Sequence, residues 1–189
     1  MRLAATVGSG LHAALLFARG RSDALQFIEA DPDGARRSFW ALPIGLPAIV
    51  CLRLMNWVEL GLPTRAGHAI GLDLMSYTVG WLGFAVVTYH VVPLFGRGAR
   101  WPRFIAAWNW CNVVENLLLV AGGIPGLLGV PPIIDQAAQI IAVGWALWIE
   151  WFAIKESLDT TALPAVLLVV LDLMIGLLMG AVSVSSLQG

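Results

Sequence analysis

Five stretches of this chain stay apolar for twenty residues or more, at about 38–61, 69–95, 104–125, 133–154 and 161–185. A helix needs roughly 20 apolar residues to cross a hydrocarbon core about 30 Å thick. The expectation is an all-α polytopic membrane protein with five transmembrane helices. Turn-forming residues separate the runs: Gly61-Leu62-Pro63, Gly96-Arg97-Gly98, the segment 126–132 and the segment 155–160. These loops are short, so successive helices must lie antiparallel as neighbours.

Composition supports the same class. Of the 189 residues, 59% are hydrophobic and 12% charged, about half the charged share of a water-facing domain. Eleven basic residues balance twelve acidic ones, so there is no basic excess to bind nucleic acid and no charge imbalance that favours disorder. The expected partners are the lipid bilayer itself and, within it, another membrane protein or a second copy of this chain.

Basic residues assign the sides. Arg2, Arg19, Arg21, Arg36 and Arg37 precede the first span, Arg97, Arg100 and Arg103 follow the second, and Lys155 follows the fourth. Arg65 alone marks the opposite side, and Arg53 lies inside a span. Positive residues stay inside, which predicts a cytoplasmic amino terminus, an external carboxy terminus and a multi-pass place in a cell membrane. Residues 1–37 then form a cytoplasmic or interfacial segment ahead of a membrane domain over 38–189. The apolar run 3–18 has a signal-like core, but Ala18-Arg19-Gly20-Arg21 makes a poor cleavage site. It is expected to be a retained helix on or near the membrane surface. Ser22-Asp23 reads as the cap of a short helix with Leu25, Phe27 and Ile28, and Asp31-Pro32-Asp33-Gly34 as a turn.

The informative residues are the polar ones at membrane depth. At 1.5 Å per residue, Glu115 and Asp172 fall near the midplane and Arg53 about one turn toward the outside, so the three are placed to meet. Asn109, Asn112, Glu115 and Asn116 are spaced by three and four along one helix face. His90 and Glu150 lie nearer the inner headgroups and are secondary candidates. Such residues are either interhelical glue or the wall of a pathway. A single Arg53 cannot pair fully with both acids. Gly122-Gly123 and the pair Gly176 and Gly180 are expected to admit close helix contact, the latter pair within the bundle or else as a dimer face, and Pro43 and Pro47 to bend or loosen the first span.

No reaction is signalled. The sequence has no nucleophile with its partners, no His-Glu-x-x-His and no phosphate-cradling glycine loop. Cys51 and Cys111 sit in apolar runs as small hydrophobes, and His12, His68 and His90 are scattered, so no metal site or cofactor is expected.

Ser38-Phe39-Trp40 leads into the first span and Trp101 to Trp108 into the third. Trp151-Phe152-Ala153 precedes Lys155 and Leu158, and Asp172-Leu173 lies in the last span. In these features the chain resembles the Yip (Ypt-interacting protein) family of small five-span membrane proteins, and most closely its small bacterial members. The resemblance implies a bacterial inner-membrane protein with the topology above, no defined activity and no catalytic residues. The Asp-Leu-x-Gly-Pro segment of eukaryotic members is not present, so it implies no GTPase-linked trafficking role. The first expectation is therefore a non-enzymatic scaffold or accessory subunit acting through helix–helix contacts. The alternative is a small channel or transporter for a proton, ion or small polar solute, using Arg53, Glu115 and Asp172.

Overall fold

The computed structural model describes the backbone of residues 2–188 and the side chains of residues 4–58 and 61–183. The side chain of Arg2, counted above among the basic residues, lies outside the described residues. The described chain is all-helical, with seven α-helices: α1 (Arg2–Phe17), α2 (Pro32–Ser38), α3 (Ala41–Leu60), α4 (Ala66–Val91), α5 (Trp101–Leu127), α6 (Pro132–Leu158) and α7 (Ala162–Gln188). The last five are long and apolar enough to cross a membrane, and they coincide with the five apolar runs. Helical structure begins three residues earlier in α5 and ends four later in α6 than the runs suggest, because polar end residues such as Arg103 and Lys155 continue the helix.

α5 is the centre of the bundle. It packs against α6, α3, α1 and α2, while α4 rests mainly on α7. Phe104, Ile105, Ala107 and Cys111 are fully buried along its first half. Glycine sets the closest approach. A Cβ at Gly122 would come within 2.5 Å of the Ala142 Cβ on α6, and one at Gly123 within 2.7 Å of the Met55 Cε on α3. With little hydrophobic drive between helices in lipid, such close contact supplies the van der Waals attraction that holds them. On the outer surfaces Ile140, Ile141, Leu163, Leu167 and Leu177 stay exposed, as a lipid-facing shell requires.

The amino-terminal segment is docked onto the bundle. Ser9 Oγ donates to the Phe27 carbonyl at 2.6 Å, and Trp145 Nε1 on α6 donates to the Ala18 carbonyl at 3.1 Å. Gly10 lies against the Trp110 indole, where a Cβ would sit 2.3 Å from the ring. Ala13, Ala14 and Phe17 are fully buried, so the inner face of α1 rests on protein.

Two local expectations change. The predicted turn at 31–34 is instead the start of α2: Asp31 caps it by accepting from the Gly34 amide at 2.5 Å, and Pro32 occupies the first turn. Proline there loses no helical hydrogen bond, so a motif read as a turn can equally open a helix. Ser22–Phe27 forms a 3-10 helix after Arg21 rather than a helix capped by Ser22.

Candidate functional site

α3, α4, α5 and α7 border a half-open cavity of about 290 Å³. Its wall takes Arg53 from α3, Asp73, Ser76, Tyr77 and Trp81 from α4, Trp108 and Asn112 from α5, and Asp172 and Ser183 from α7. Asp172 and Ser183 are eleven residues apart, about 16 Å along the helix axis, so the cavity runs lengthwise through part of the bundle.

One end holds an ion pair. Arg53 Nη2 donates to Asp73 Oδ1 at 2.6 Å, and Arg53 Nε lies 2.5 Å from Asp73 Oδ2. Ser183 Oγ donates to the same Oδ1 at 3.1 Å. Only the Oδ1 contact is a hydrogen bond; Asp73 Oδ2 is in ion-pair range of Nε but accepts no hydrogen bond among the described residues. Arg53 thus shares the cavity wall with Asp172, but its ion-pair partner is Asp73, which the depth estimate had not placed beside it. Arg53 stands seven residues before Leu60 at the end of α3, and Asp73 seven after Ala66 at the start of α4. In an antiparallel hairpin those positions are level with each other. That symmetry is legible in the sequence, as is the face formed by Asp73, Ser76, Tyr77, Gly80 and Trp81 at helical spacing.

At the other end three carboxyls gather. Those of Glu150 and Asp172 lie within hydrogen-bonding reach of each other, and Glu115 is near enough for its charge to act on both. Trp108 Nε1 donates to Glu150 Oε1 at 3.3 Å, while Glu115 Oε1 is buried without a hydrogen-bond partner among the described residues. Among the described residues no Arg, Lys or His forms an ion pair with any of the three. The structure therefore brings Glu150 to Glu115 and Asp172, and Arg53 to Asp73.

The asparagine stripe of α5 divides by function. Asn109 is fully buried, accepts from Trp81 Nε1 at 2.6 Å and donates to Ser38 Oγ at 2.7 Å, tying α4, α5 and α2 together. Asn116 donates to the Tyr77 hydroxyl at 3.2 Å. Asn112 gives its amide to the Trp108 carbonyl at 3.2 Å and is the one member of the stripe on the cavity wall. His90 stands apart, exposed near the end of α4 with its ring edge-on to Tyr89 at 5.2 Å.

Gly176 and Gly180 depart from their expected role. A Cβ at either would meet no atom within 4 Å, so no helix of this chain seats on them and they leave room at the cavity. A second cavity of about 300 Å³ between α3, α5 and α6 is lined by Leu52, Met55, Asn56, Leu119 and Gln139, with no charged group. Among the described residues no group of three or more His, Cys, Asp or Glu is arranged to hold a metal ion. The arrangement is suited to binding, since it offers carboxylates, hydroxyls, an arginine already paired and aromatic surface.

The helices thus have the length, composition and lipid-facing surface of a multi-pass integral membrane protein. Comparison of the chain with protein-family models, curated proteins and solved structures finds no match.

Proposed function

We propose that this protein is a small transporter or channel that binds a monovalent cation or small polar solute inside the membrane. One observation carries the reading: a cavity at membrane depth has Arg53, Asp73 and Asp172 on its wall. Polar interhelical glue alone would close on itself, as Asn109 does. Here the ionisable groups border empty space, where their desolvation is costly unless something polar enters. With the amino terminus in the cytoplasm of a bacterial cell, the Arg53–Asp73 end of the cavity faces outward and Asp172 lies deeper.

Purified protein in proteoliposomes tests this. Flux of a solute or proton above that of empty vesicles, abolished by Asp172→Asn, is the expected result. In a background with Cys51 and Cys111 replaced by Ala, a cysteine at Ser76 should react with a water-soluble thiol reagent added outside. No flux, an inert Ser76 position and a stoichiometric copurifying membrane protein would overturn the reading in favour of a scaffold.

A further inference from the structure

We infer that the ligand of this site is the proton: at neutral pH Glu150 and Asp172 hold one between them, Glu115 carries a second, and Asp172 exchanges the shared one with the cavity. The inference rests on the reading of this site as a binding site and names its ligand.

The contact between α6 and α7 comes first. The carboxyls of Glu150 and Asp172 lie within hydrogen-bonding reach of each other. Two carboxylates are both acceptors, so they bond only when one of the facing oxygens carries a hydrogen. Trp108 Nε1 gives Glu150 Oε1 one further donor. No Arg, Lys or His among the described residues forms an ion pair with either acid.

Glu115 is an independent observation. Only 9% of the residue is exposed, and its Oε1 is buried with no hydrogen-bond partner among the described residues. A buried carboxylate without donors or a cation is far more costly than a neutral carboxyl with one idle oxygen. The other titratable groups whose charge interacts with the cluster are the Tyr77 hydroxyl of α4 and the Cys111 thiol of α5. Neither brings a positive charge. From α3, Arg53 shares the cavity wall but is paired with Asp73.

Access separates a proton from larger cations. Of the three acids only Asp172 lines the cavity, and Glu150 is 4% exposed. A metal or organic cation in the cavity would therefore touch one carboxyl of the three. A proton needs no more than that, because it reaches Glu150 through the hydrogen bond the two acids share. A hydronium ion in the cavity gives its proton to the pair and leaves as water, taking the pair from one proton to two. The reverse step returns the pair to one.

The test is infrared spectroscopy of the full chain in dodecyl maltoside, a detergent with no carbonyl to overlap the signal. At neutral pH the wild type should show carbonyl stretches of protonated carboxyls that are missing from Glu115→Gln/Glu150→Gln/Asp172→Asn. Glu115→Gln should remove one band, and Glu150→Gln or Asp172→Asn a second, broader one that shifts first in deuterium oxide. Tryptophan fluorescence checks that each variant is folded. A wild type with no such stretch at neutral pH overturns the inference without any variant, as do bands that persist in the folded triple variant. Bands removed by sodium at constant pH would make the metal ion the ligand and also overturn it. Solute flux in liposomes without these bands leaves the transport reading standing and ends the proton assignment. Bands without flux of a proton or any solute keep the proton site and end the transport reading.

Discussion

Arg53 and Asp73 meet across the α3–α4 hairpin through two contacts, at 2.5 and 2.6 Å, at one end of a pocket between the helices. The pair fixes how these two helices are rotated toward each other, since an arginine at this depth is tolerated only beside a matched acceptor.

Removing one partner should therefore cost more than removing both. Asp73→Asn is expected to lower stability by roughly 1–3 kcal/mol, less than a fully buried pair loses, because the Arg53 side chain keeps 37% of its surface exposed. The double variant Arg53→Met/Asp73→Leu should be the more stable of the two. Thermal unfolding in detergent, followed by tryptophan fluorescence, checks the order.

Asn109 satisfies Trp81 and Ser38 in one buried position. Asn109→Leu leaves the indole N–H without its acceptor, a loss of roughly 1–3 kcal/mol for an orphaned buried polar group. The same melt should show a lower midpoint.

Two glycines of similar appearance should respond in opposite ways. Gly122→Ala drives a methyl into Ala142 and is expected to destabilise by about 1–3 kcal/mol through overpacking. Gly176→Ala has open space and gains helix propensity, about 0.5–1 kcal/mol. Equal midpoints for the two variants would contradict the α5–α6 contact.

Asp31 caps α2 through the Gly34 amide. Asp31→Ala should cost about 1 kcal/mol, seen as faster amide hydrogen exchange confined to α2.

Arg21 donates from Nε to Asp23 Oδ1 at 3.0 Å, and this hydrogen bond holds the Asp23 carboxyl below the usual aspartate range. The small stability it contributes is present above the ordinary aspartate pKa and disappears as pH falls through the lowered value. Carboxyl carbon shifts from NMR should show a depressed midpoint for Asp23, returning to the ordinary range in Arg21→Gln.

Much of the architecture is legible in the residues. The apolar length of each span and the turn residues between spans follow from local rules, whereas Asp31-Pro32, which serves a helix start and a turn equally well, opens α2 where a turn was expected. The polar residues at depth are also visible as anomalies, Glu115, Glu150 and Asp172 among them. Their partners are a different matter. Asp73 sits close enough to a helix end to pass for an ordinary boundary acid, and only the symmetry of the hairpin brings it level with Arg53. Gly176 and Gly180 have the spacing of a packing motif yet border a cavity, since spacing reports that a face is smooth and not what lies against it.

What the sequence alone determined is the number of long apolar helices and the polar residues they carry into the membrane. That is a property of each segment, summed along the chain against the thickness of hydrocarbon. The tertiary structure decided which of those residues meet. These helices are apolar on most sides, and a polar stripe such as that of α5 does not say which helix it will face. Their rotation is set by close contacts such as Gly122 on Ala142 and by buried bonds such as Trp81 to Asn109, which exist only once the bundle is assembled.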